Sequence, residues 1–409
     1  MNLVETHRIR PSHKHFKLLR EFCINAKKLY NHANYIVRQR FFKENYWTRY
    51  KELDKTLKAD VTYPDYKNMP TAQSAQQVLR QLDTNWKTFF KAIKDWKQHP
   101  EKYLECPKLP KYKRSQFILT LTNQNCKIKG QQLVFPKVFN GFSLEPKFIV
   151  KSYTKFCLVN LIPKNGELLV QIVYEIEDRQ FVQDNQRYTG IDLGVNNLAT
   201  CVSNVIVPEV VNGRPLKAIN QYYNKMLSHL KSKAMKINGV YTSKHIQKLT
   251  SKRNRKIDDY LHKASKHIVD RCIKYQIHTI IIGKNINWKQ HSTLSKKINQ
   301  QFISIPFNKL IEMIKYKASC VGITVKLTEE SYTSGTSFLD HELPIKENYN
   351  KRRRIHRGLF KSNKGILINA DVNGAYQIIQ KVVPNIFMNG IEGVGLHPML
   401  WTPEHKDIY

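Results

Sequence analysis

The spacing of apolar residues changes twice along the chain, and each change limits what that part can fold into. Residues 15–42 and 74–96 carry apolar side chains at every third or fourth position, which is the period of amphipathic helices. Residues 106–184 instead hold short apolar runs separated by prolines and by the hairpin signal Asn165-Gly166. In residues 185–385 strand-like and helix-like patterns alternate. The 409-residue chain is therefore predicted to be an α+β protein with several domains.

The N-terminal strands are predicted to form a sheet that helices interrupt. Residues 1–13 are predicted as a strand that enters a basic turn, and β-patterned residues resume after the helical segment. These strands fit either a small barrel or an open sheet. The alternating part that follows predicts strands at 188–194, 279–283 and 324–328, a basic helical region at about 220–275 and a last helix from Asp371.

Positive charge is spread over the whole chain rather than gathered in one tail. Lys and Arg number 68 against 32 Asp and Glu, so the formal net charge is +36 at pH 7. Nucleic acid is the expected partner, because neutralising phosphates releases counterions and supplies much of the binding free energy. No basic amphipathic segment or lipidation signal favours a membrane surface instead. The distribution suits a protein that is wrapped around a long nucleic acid.

The sequence predicts a cytoplasmic location. No stretch approaches the ~18–20 unbroken apolar residues that a membrane span needs, and the N-terminus lacks the apolar core of a secretory signal. The seven cysteines are scattered and form no CxxC pair. Neither a disulfide framework nor a cysteine-rich zinc site is therefore expected.

Two aspartates stand where a predicted strand ends and where a predicted helix begins. Asp192 lies in Gly190-Ile191-Asp192-Leu193-Gly194, and the flanking glycines permit close approach of a divalent metal or a phosphate. Asp371 lies in Asn369-Ala370-Asp371-Val372-Asn373-Gly374-Ala375 at the start of the last predicted helix. Taken alone, Asp192 fits an ordinary turn after a strand, and Asp371 fits an acid that favours the helix dipole.

Together and in this order, the two motifs resemble the RuvC-like nuclease domain of the TnpB (OrfB) proteins of insertion sequences and their relatives, the type V CRISPR effectors. The resemblance covers residues 1–385 and is strongest at residues 190–200, 252–257, 262–265 and 369–375. Proteins of that family use a guide RNA to find DNA beside a short flanking motif, and they cut it with a metal-dependent RuvC site.

The resemblance implies a domain order, partners and a reaction. We expect a wedge-like β-barrel of residues 1–13 and 106–184, a helical recognition insertion at 14–105, a RuvC-like α/β domain of RNase H fold at 185–385 and a C-terminal tail at 386–409. The implied partners are a guide RNA from the transposon end and double-stranded target DNA with a short flanking motif, with no membrane partner. The protein is then a prokaryotic, nucleoid-associated endonuclease.

The resemblance also implies a catalytic carboxylate set. Three acids hold two Mg²⁺ ions about 4 Å apart, with Mn²⁺ as the alternative ion, and hydrolyse the phosphodiester. Asp192 corresponds to the acid of the first strand, and Asp371 corresponds to the acid of the last helix. The middle acid, a Glu at the end of strand 279–282, is absent, because Gly283 stands there.

Two hypotheses follow from this departure. Either the protein is a nuclease-inactive, RNA-guided DNA-binding repressor, or Glu329 or Glu330 at the end of the neighbouring strand replaces the missing acid. Neighbouring strands lie about 4.8 Å apart, which a Glu side chain spans, and Gly283 leaves room for it. Only one of the two glutamates can point inward. We favour the relocated acid, because clustered carboxylates repel one another unless a cation binds.

A second departure concerns zinc and basic residues. The family usually carries a four-cysteine ribbon before the last acid, whereas this segment has no cysteine and no zinc is expected. Its basic run is expected to contact phosphates, and a disordered loop is the alternative. For the basic residues at 111–117 the alternative is a strand edge that lysines protect, and for those at 251–266 it is a solvated helix face. The predicted nucleic-acid-binding residues are Lys111, Lys113, Arg114, Lys252, Arg253, Arg255, Lys256, Arg352, Arg353, Arg354 and Arg357.

Overall fold

The computed structural model describes residues 1–147, 154–177, 179–181, 183–285, 295–356, 358–387 and 395–403. The chain divides into two compact units, Met1–Glu177 and Asp178–Tyr409. Each unit encloses its own hydrophobic core. The predicted α+β architecture is confirmed. Among the residues described, none of the helices combines the length and apolar character that a bilayer crossing demands.

Three long helices dominate the first half of the first unit: α1 Phe16–Glu44, α2 Tyr50–Ala59 and α3 Ala72–Gln98. The apolar stripe of α1 is buried, and α1 ends where Asn45 adopts a left-handed conformation with φ 49°. Thr71 caps α3 by accepting the Ser74 backbone N–H, while the Ser74 hydroxyl receives the Thr71 N–H. This reciprocal pair fixes the start of α3.

The strands of the first unit are β1 Asn2–Ile9, β2 Leu119–Thr122, β3 Lys127–Lys129, β4 Gln132–Val134, β5 Ser143–Leu144, β6 Thr154–Lys164 and β7 Glu167–Ile176. An antiparallel sheet runs in the order β1-β7-β6-β2, and a small one in the order β3-β4-β5. Asn165 and Gly166, with φ 49° and 78°, form the predicted hairpin between β6 and β7. In the part of the chain that is described, β1 and β2 are the edges of this sheet, and barrel closure stays a prediction.

The strands of the second unit are β8 Tyr188–Leu193, β9 Asn197–Ser203, β10 Glu209–Asn212, β11 Thr279–Gly283, β12 Thr324–Thr328, β13 Arg354–His356, β14 Leu359–Lys361, β15 Leu367–Asn369 and β16 Met399–Trp401. The main sheet has the order β12-β11-β8-β9-β10-β16. β8, β9 and β10 pair antiparallel, whereas β11 is parallel to both β8 and β12. The C-terminal ends of β8, β11 and β12 therefore lie side by side.

Helices cover both faces of this sheet: α4 Arg214–Asn238, α5 Lys244–Lys274, α6 Lys296–Ser304, α7 Phe307–Ser319 and α8 Ala370–Val382. Side chains alternate between the faces along β11. Ile280 and Ile282 pack in the cluster that includes residues of α5 and α7, while Ile281 packs in the cluster of α8. All three isoleucines are completely buried. This two-sided burial explains the continuous apolar run of the strand.

The helix α8 lies directly on β8 because Gly190 has no side chain. A Cβ atom at this position would come within 2.6 Å of the Ala375 carbonyl oxygen and of Ile379 Cγ1. Both are nearer than carbon side chains normally approach. The contact sets how closely α8 lies against β8.

We expect Gly190→Ala to lower the free energy of unfolding by about 1–3 kcal/mol, since the backbone of α8 must move to admit the methyl group. Gly358→Ala is the matched control, because nothing lies within 4 Å of a Cβ atom there and its φ is not in the left-handed region. Urea unfolding of the two variants measures the difference. An equal loss in both variants would contradict this packing.

Candidate active site

Three carboxylates from separate elements line one cavity of about 580 Å³ in the second unit. Asp192 is carried by β8, Glu330 follows the end of β12, and Asp371 lies in the first turn of α8. α8 presents Gly374 to this cavity, and a Cβ atom there would stand 3.5 Å from Asp192 Oδ2. The parallel arrangement of β8, β11 and β12 gathers these acids at one end of the sheet.

Glu330 is held by the residues that follow β11. Asn285 Nδ2 donates to Glu330 Oε1 at 3.2 Å, and the Glu330 backbone N–H donates to Asn285 Oδ1 at 3.0 Å. Glu330 Oε2 lies 3.1 Å from where a Cβ atom of Gly283 would stand. Gly283 therefore leaves space for the Glu330 carboxylate, and the side-chain amide of Asn285 holds this carboxylate by a hydrogen bond.

Asp371 is fixed through both of its carboxylate oxygens. Asn197 Nδ2 donates to Oδ2 at 2.6 Å, and Arg354 Nη2 donates to Oδ1 at 3.2 Å. Asn369 caps α8 by accepting the backbone N–H groups of Asp371 and Val372 at 3.0 and 3.1 Å. The cap and the two donors set the direction of this carboxylate.

The surroundings of Asp192 and Glu330 raise the pKa of both carboxyl groups. Burial raises the pKa of Asp192 well above its usual range, the nearby carboxylates of Asp371 and Glu330 raise it further, and Arg354 opposes them. Burial also raises the pKa of Glu330 to about 7, although Lys381 acts in the opposite direction and Glu329 adds to the rise. Additional positive charge in the cavity would favour the ionised carboxylates.

The donor chemistry of the cavity fits a hard divalent cation. Carboxylate oxygens are the ligands that Mg²⁺ and Mn²⁺ prefer, and the amide of Asn285 adds a neutral neighbour. Within the described ranges, however, no three acids, histidines or cysteines stand close enough together to hold a metal ion. Arg354 instead provides the positive charge beside Asp371. Charge and ligand type therefore match such a cation, and the spacing of the side chains does not.

The two candidate glutamates face different surroundings. Glu330 lines the cavity, whereas the Glu329 side chain is 60% exposed and lies 3.9 Å from Lys381 Nζ. The Ser331 hydroxyl also donates to the Glu329 carboxylate. Of the two predicted acids, the structure therefore brings Glu330 to Asp192 and Asp371 and leaves Glu329 at the surface.

Arg253, predicted to contact nucleic acid, is used inside the unit. Its Nε and Nη2 donate to Asn220 Oδ1 at 2.8 and 2.6 Å, and Nη2 also donates to the Ser304 carbonyl at 2.7 Å. Burial lowers the pKa of Arg253. This guanidinium joins α4, α5 and α6, and its contact with nucleic acid stays a prediction. The exposed members of the same run are Lys252, Arg255 and Lys256.

In the basic segment at residues 111–114, too, some side chains are exposed and another makes a contact inside its unit. Lys111 and Arg114 are exposed in a loop, whereas the Lys113 ammonium lies 4.9 Å from the centroid of the Tyr30 ring. The segment is not a strand, so a protected strand edge does not explain its lysines.

Among the described arginines of the C-terminal basic run, only Arg352 is exposed and forms no ion pair with a described acid. Arg352 is exposed, while Arg353 Nη1 pairs with Glu342 Oε2 at 2.6 Å and Arg354 faces the cavity. Arg353 therefore has a structural partner, and its contact with phosphate stays a prediction. Arg357 lies outside the described residues.

Asn197 and Asn285 are site residues that sequence reasoning did not identify. Asn197 belongs to the motif around Asp192, and Asn285 follows Gly283 by two positions. Gly283 could have indicated Asn285, because a polar residue close to a position without a side chain can contact an acid that fills the space there. Arg354 was predicted only as a phosphate contact, and its pairing with Asp371 was missed.

Two family models match the parts of the chain that hold these groups. OrfB_IS605, described as a probable transposase, matches residues 171–289, and the Cas12f1-like TNB domain matches residues 307–378. The chain is 23% identical to the TnpB-like protein ORF457 of Acidianus two-tailed virus, covering 98% of this chain and 90% of that protein. It is 25% identical to the CRISPR-associated endodeoxyribonuclease Cas12f2 of a Micrarchaeota archaeon, covering 74% of this chain.

Both models and both relatives support a resemblance of the chain to TnpB proteins and type V effectors. The expected resemblance is thereby confirmed. The match spans 54% of the length of the Cas12f2 relative. Among solved structures it is similar to the mini-RNA-guided endonuclease CRISPR-Cas_phi3, with a TM-score of 0.49, 10% identity and coverage of 97% of this chain and 93% of that one.

We expect the carboxylate of Glu330 to make the unfolding free energy fall as the pH rises. Its pKa is about 7 in the folded protein and about 4.3 in an unfolded chain. Between these values the folded state binds more protons than the unfolded state, so stability decreases with rising pH. Glu330→Gln removes this loss, which reaches at most about 3 to 4 kcal/mol above pH 7.

Urea unfolding in EDTA, from about pH 4 to about pH 8, measures the difference between the wild type and Glu330→Gln. The variant should be the more stable protein at the upper end and should match the wild type at the lower end. Glu329→Gln is the control, because its side chain is exposed. A difference for Glu330→Gln that stays constant over this range would exclude the raised pKa.

Proposed function

We propose that the chain is a transposon-associated, RNA-guided DNA endonuclease of TnpB type, with Glu330 as the relocated middle acid. The matching family model and the Cas12f2 relative support the general activity. The observation that carries the relocation is the position of Glu330 in the same cavity as Asp192 and Asp371, beside Gly283. The proposed partners are a guide RNA and double-stranded DNA with a short flanking motif.

The proposed domains follow the two units. Residues 185–385 form the RuvC-like domain of RNase H fold, which the mixed sheet and its carboxylate cluster support. Residues 1–13 and 106–184 form the wedge-like barrel, with residues 14–105 as the helical recognition insertion. Residues 386–409 are the C-terminal tail. The exposed residues that remain proposed phosphate contacts are Lys111, Arg114, Lys252, Arg255, Lys256 and Arg352.

In the proposed mechanism, Asp192, Glu330 and Asp371 would move closer together to hold Mg²⁺, or Mn²⁺ in its place, because their described spacing is too wide to do so. When bound, such ions supply an activated water and stabilise the leaving oxygen of phosphodiester hydrolysis. Asn285 orients the Glu330 carboxylate through its amide N–H. Arg354 lies beside Asp371 at the cavity, where a guanidinium can bind a phosphate oxygen of the DNA backbone.

The test compares two neighbouring glutamates in the full ribonucleoprotein. The protein is purified with RNA from its native flanking locus, and matched DNA is incubated with it in Mg²⁺. We expect Glu330→Gln to reduce cleavage by at least about 10³-fold, because one carboxylate ligand is lost, while Glu329→Gln stays within about threefold of the wild type. Equal cleavage by both variants would refute the relocation.

The second candidate function is an RNA-guided DNA-binding repressor without nuclease activity. The absence of a carboxylate at Gly283 favours it, as does the lack of a metal-holding group of three such side chains in the described residues. Tight, RNA-dependent DNA binding without cuts in Mg²⁺ and Mn²⁺ would identify this function. Glu330→Gln would then leave DNA binding unchanged.

We also propose that the segment between β12 and α8 is stabilised without zinc. Glu342 Oε2 accepts the Ser337 backbone N–H at 2.8 Å and pairs with Arg353, while the Glu342 carbonyl accepts Gln377 Nε2 at 3.0 Å. Phe338 stacks on the ring of Tyr376 in α8, with the ring centroids 4.4 Å apart. These contacts attach the segment to α8.

Metal removal should therefore leave the second unit folded. We expect a zinc-selective chelator to leave the thermal unfolding midpoint unchanged. Glu342→Ala should lower the unfolding free energy by about 1–3 kcal/mol, because the Ser337 N–H and Arg353 lose their acceptor. Glu347→Ala, an exposed acid in the same segment, is the control. Unfolding by the chelator alone would contradict the proposal.

A further inference from the structure

The cavity that holds the three acids is also lined by two aromatic rings. Tyr332 and Tyr349 border it, and each of these residues is 39% exposed. Their ring centroids lie 5.8 Å apart, and the ring planes meet at 71°. We call them the tyrosine pair. One cavity therefore combines charged groups, which suit a phosphate, with apolar ring faces, which suit a planar base.

Tyr332 is held close to Glu330 by the turn that follows β12. It lies two positions after Glu330, and the Thr333 hydroxyl donates to the Glu330 carbonyl at 2.8 Å. The Thr336 hydroxyl donates to the Tyr332 carbonyl at 3.0 Å. Tyr332 has a φ of 68°, a left-handed conformation that is uncommon for a bulky side chain. Strained backbone of this kind is concentrated at active sites and ligand-binding sites.

The position of Tyr349 depends on Gly335. A Cβ atom at Gly335 would stand 2.6 Å from Tyr349 Cδ2, and the φ of this glycine is not in the left-handed region. The Asn350 backbone N–H donates to the Gly335 carbonyl at 2.9 Å. The missing side chain of Gly335 thus makes room for the ring, and the hydrogen bond keeps Tyr349 against this part of the backbone.

The aromatic core of the unit lies elsewhere. Phe338, Tyr376 and Phe387 pack against one another, and all three are buried. The tyrosine pair instead keeps more than a third of its surface open at the cavity. Packing inside the unit therefore does not account for these two rings.

We propose that the tyrosine pair stacks on an unpaired nucleobase of the DNA strand, next to the phosphate that is cut. This inference rests on the proposed function for the reaction, and it adds two substrate-binding residues and the state of the bound base. Aromatic side chains stack on any base, because every base has a π-face. Inside a duplex this face is already covered by the neighbouring base pairs, so the ligand is a single-stranded stretch.

The test compares two DNA strands that differ only in their bases. One probe is a labelled oligo(dT) strand, and the other is a strand of equal length that consists of abasic sites and carries the same phosphates. Fluorescence anisotropy measures binding by the full chain in Ca²⁺, a cation that binds carboxylate oxygens, and gels verify that the probes stay intact. The ratio of the two affinities isolates the contribution of the bases.

The variant Y332L/Y349L keeps apolar side chains and removes the rings, whereas Y332F/Y349F keeps the rings. We expect the leucine variant to bind oligo(dT) at least about tenfold more weakly than the wild type and the abasic strand within about twofold, because only stacking is lost. The phenylalanine variant should match the wild type on both probes. The control Y222L/Y241L removes two exposed tyrosines that do not line the cavity, and its ratio should stay unchanged.

Guided cleavage tests the position of the bound base. A single abasic site is moved stepwise along the cleaved strand of the matched DNA. We expect it to slow the wild type by about tenfold or more at one position next to the cut. At that position Y332L/Y349L should show no further slowing, because its stacking contact is already missing.

Stability separates stacking from packing. Tyr332→Asn should lose the preference for oligo(dT) without a lower thermal midpoint, because Asn tolerates a positive φ better than Tyr. A lower midpoint with an unchanged preference would assign the ring to packing. Equal losses in Y332L/Y349L and Y222L/Y241L would also overturn the proposal.

The outcomes also separate this inference from the proposed function. If oligo(dT) binding depends on the tyrosine pair but guided DNA is never cut, the proposed function fails and the stacking site stands. Guided cleavage in which Y332L/Y349L equals the wild type on every probe would refute the stacking site and leave the proposed function in place.

Discussion

The packing of α8 against β8 is the contact on which the candidate site depends. Gly190 lets the helix backbone approach the strand, and the first turn of α8 then lies above the strand end. Asp192 and Asp371, 179 positions apart in the sequence, reach the same cavity only through this approach. A bulkier residue on β8 would move the acids apart without altering either of them. The chemistry of the site is thus set by a backbone contact that carries no charge.

Bringing these acids into one cavity raises the free energy of the charged form of Asp192, and the surrounding residues offset part of this rise. Burial and mutual repulsion raise the pKa of Asp192, and Arg354 compensates part of this cost. Asn285 and Asn197 donate to the other two acids without adding negative charge. Neutral donors suit a cluster of this kind, because a further acid would increase the repulsion and a further cation would compete with a divalent ion. The polar lining therefore keeps the carboxylates close while leaving them able to accept positive charge.

Much of the architecture could be predicted from periodicity, whereas the contacts that choose between residues could not. The apolar stripe of α1 and the strand 279–283 were visible in sequence, but the basic region 220–275 is two helices separated at Gly239, whose φ is 63°. Strand alternation could not choose between Glu329 and Glu330, because β12 ends at Thr328 and both glutamates lie beyond it. Arg253 looked like a surface cation because its acceptor, Asn220, is remote in sequence.

The position of Glu330 after β12, rather than on β11, changes the order in which the site can assemble. An acid on a central strand is in place once the sheet has formed. Glu330 instead begins the segment that Glu342 attaches to α8, and its carboxylate reaches the cavity from that segment. The carboxylate cluster is therefore complete only after the segment has docked, so a local opening of this loop dismantles the site while the sheet stays intact. Integrity of the site is coupled to the least regular part of the unit.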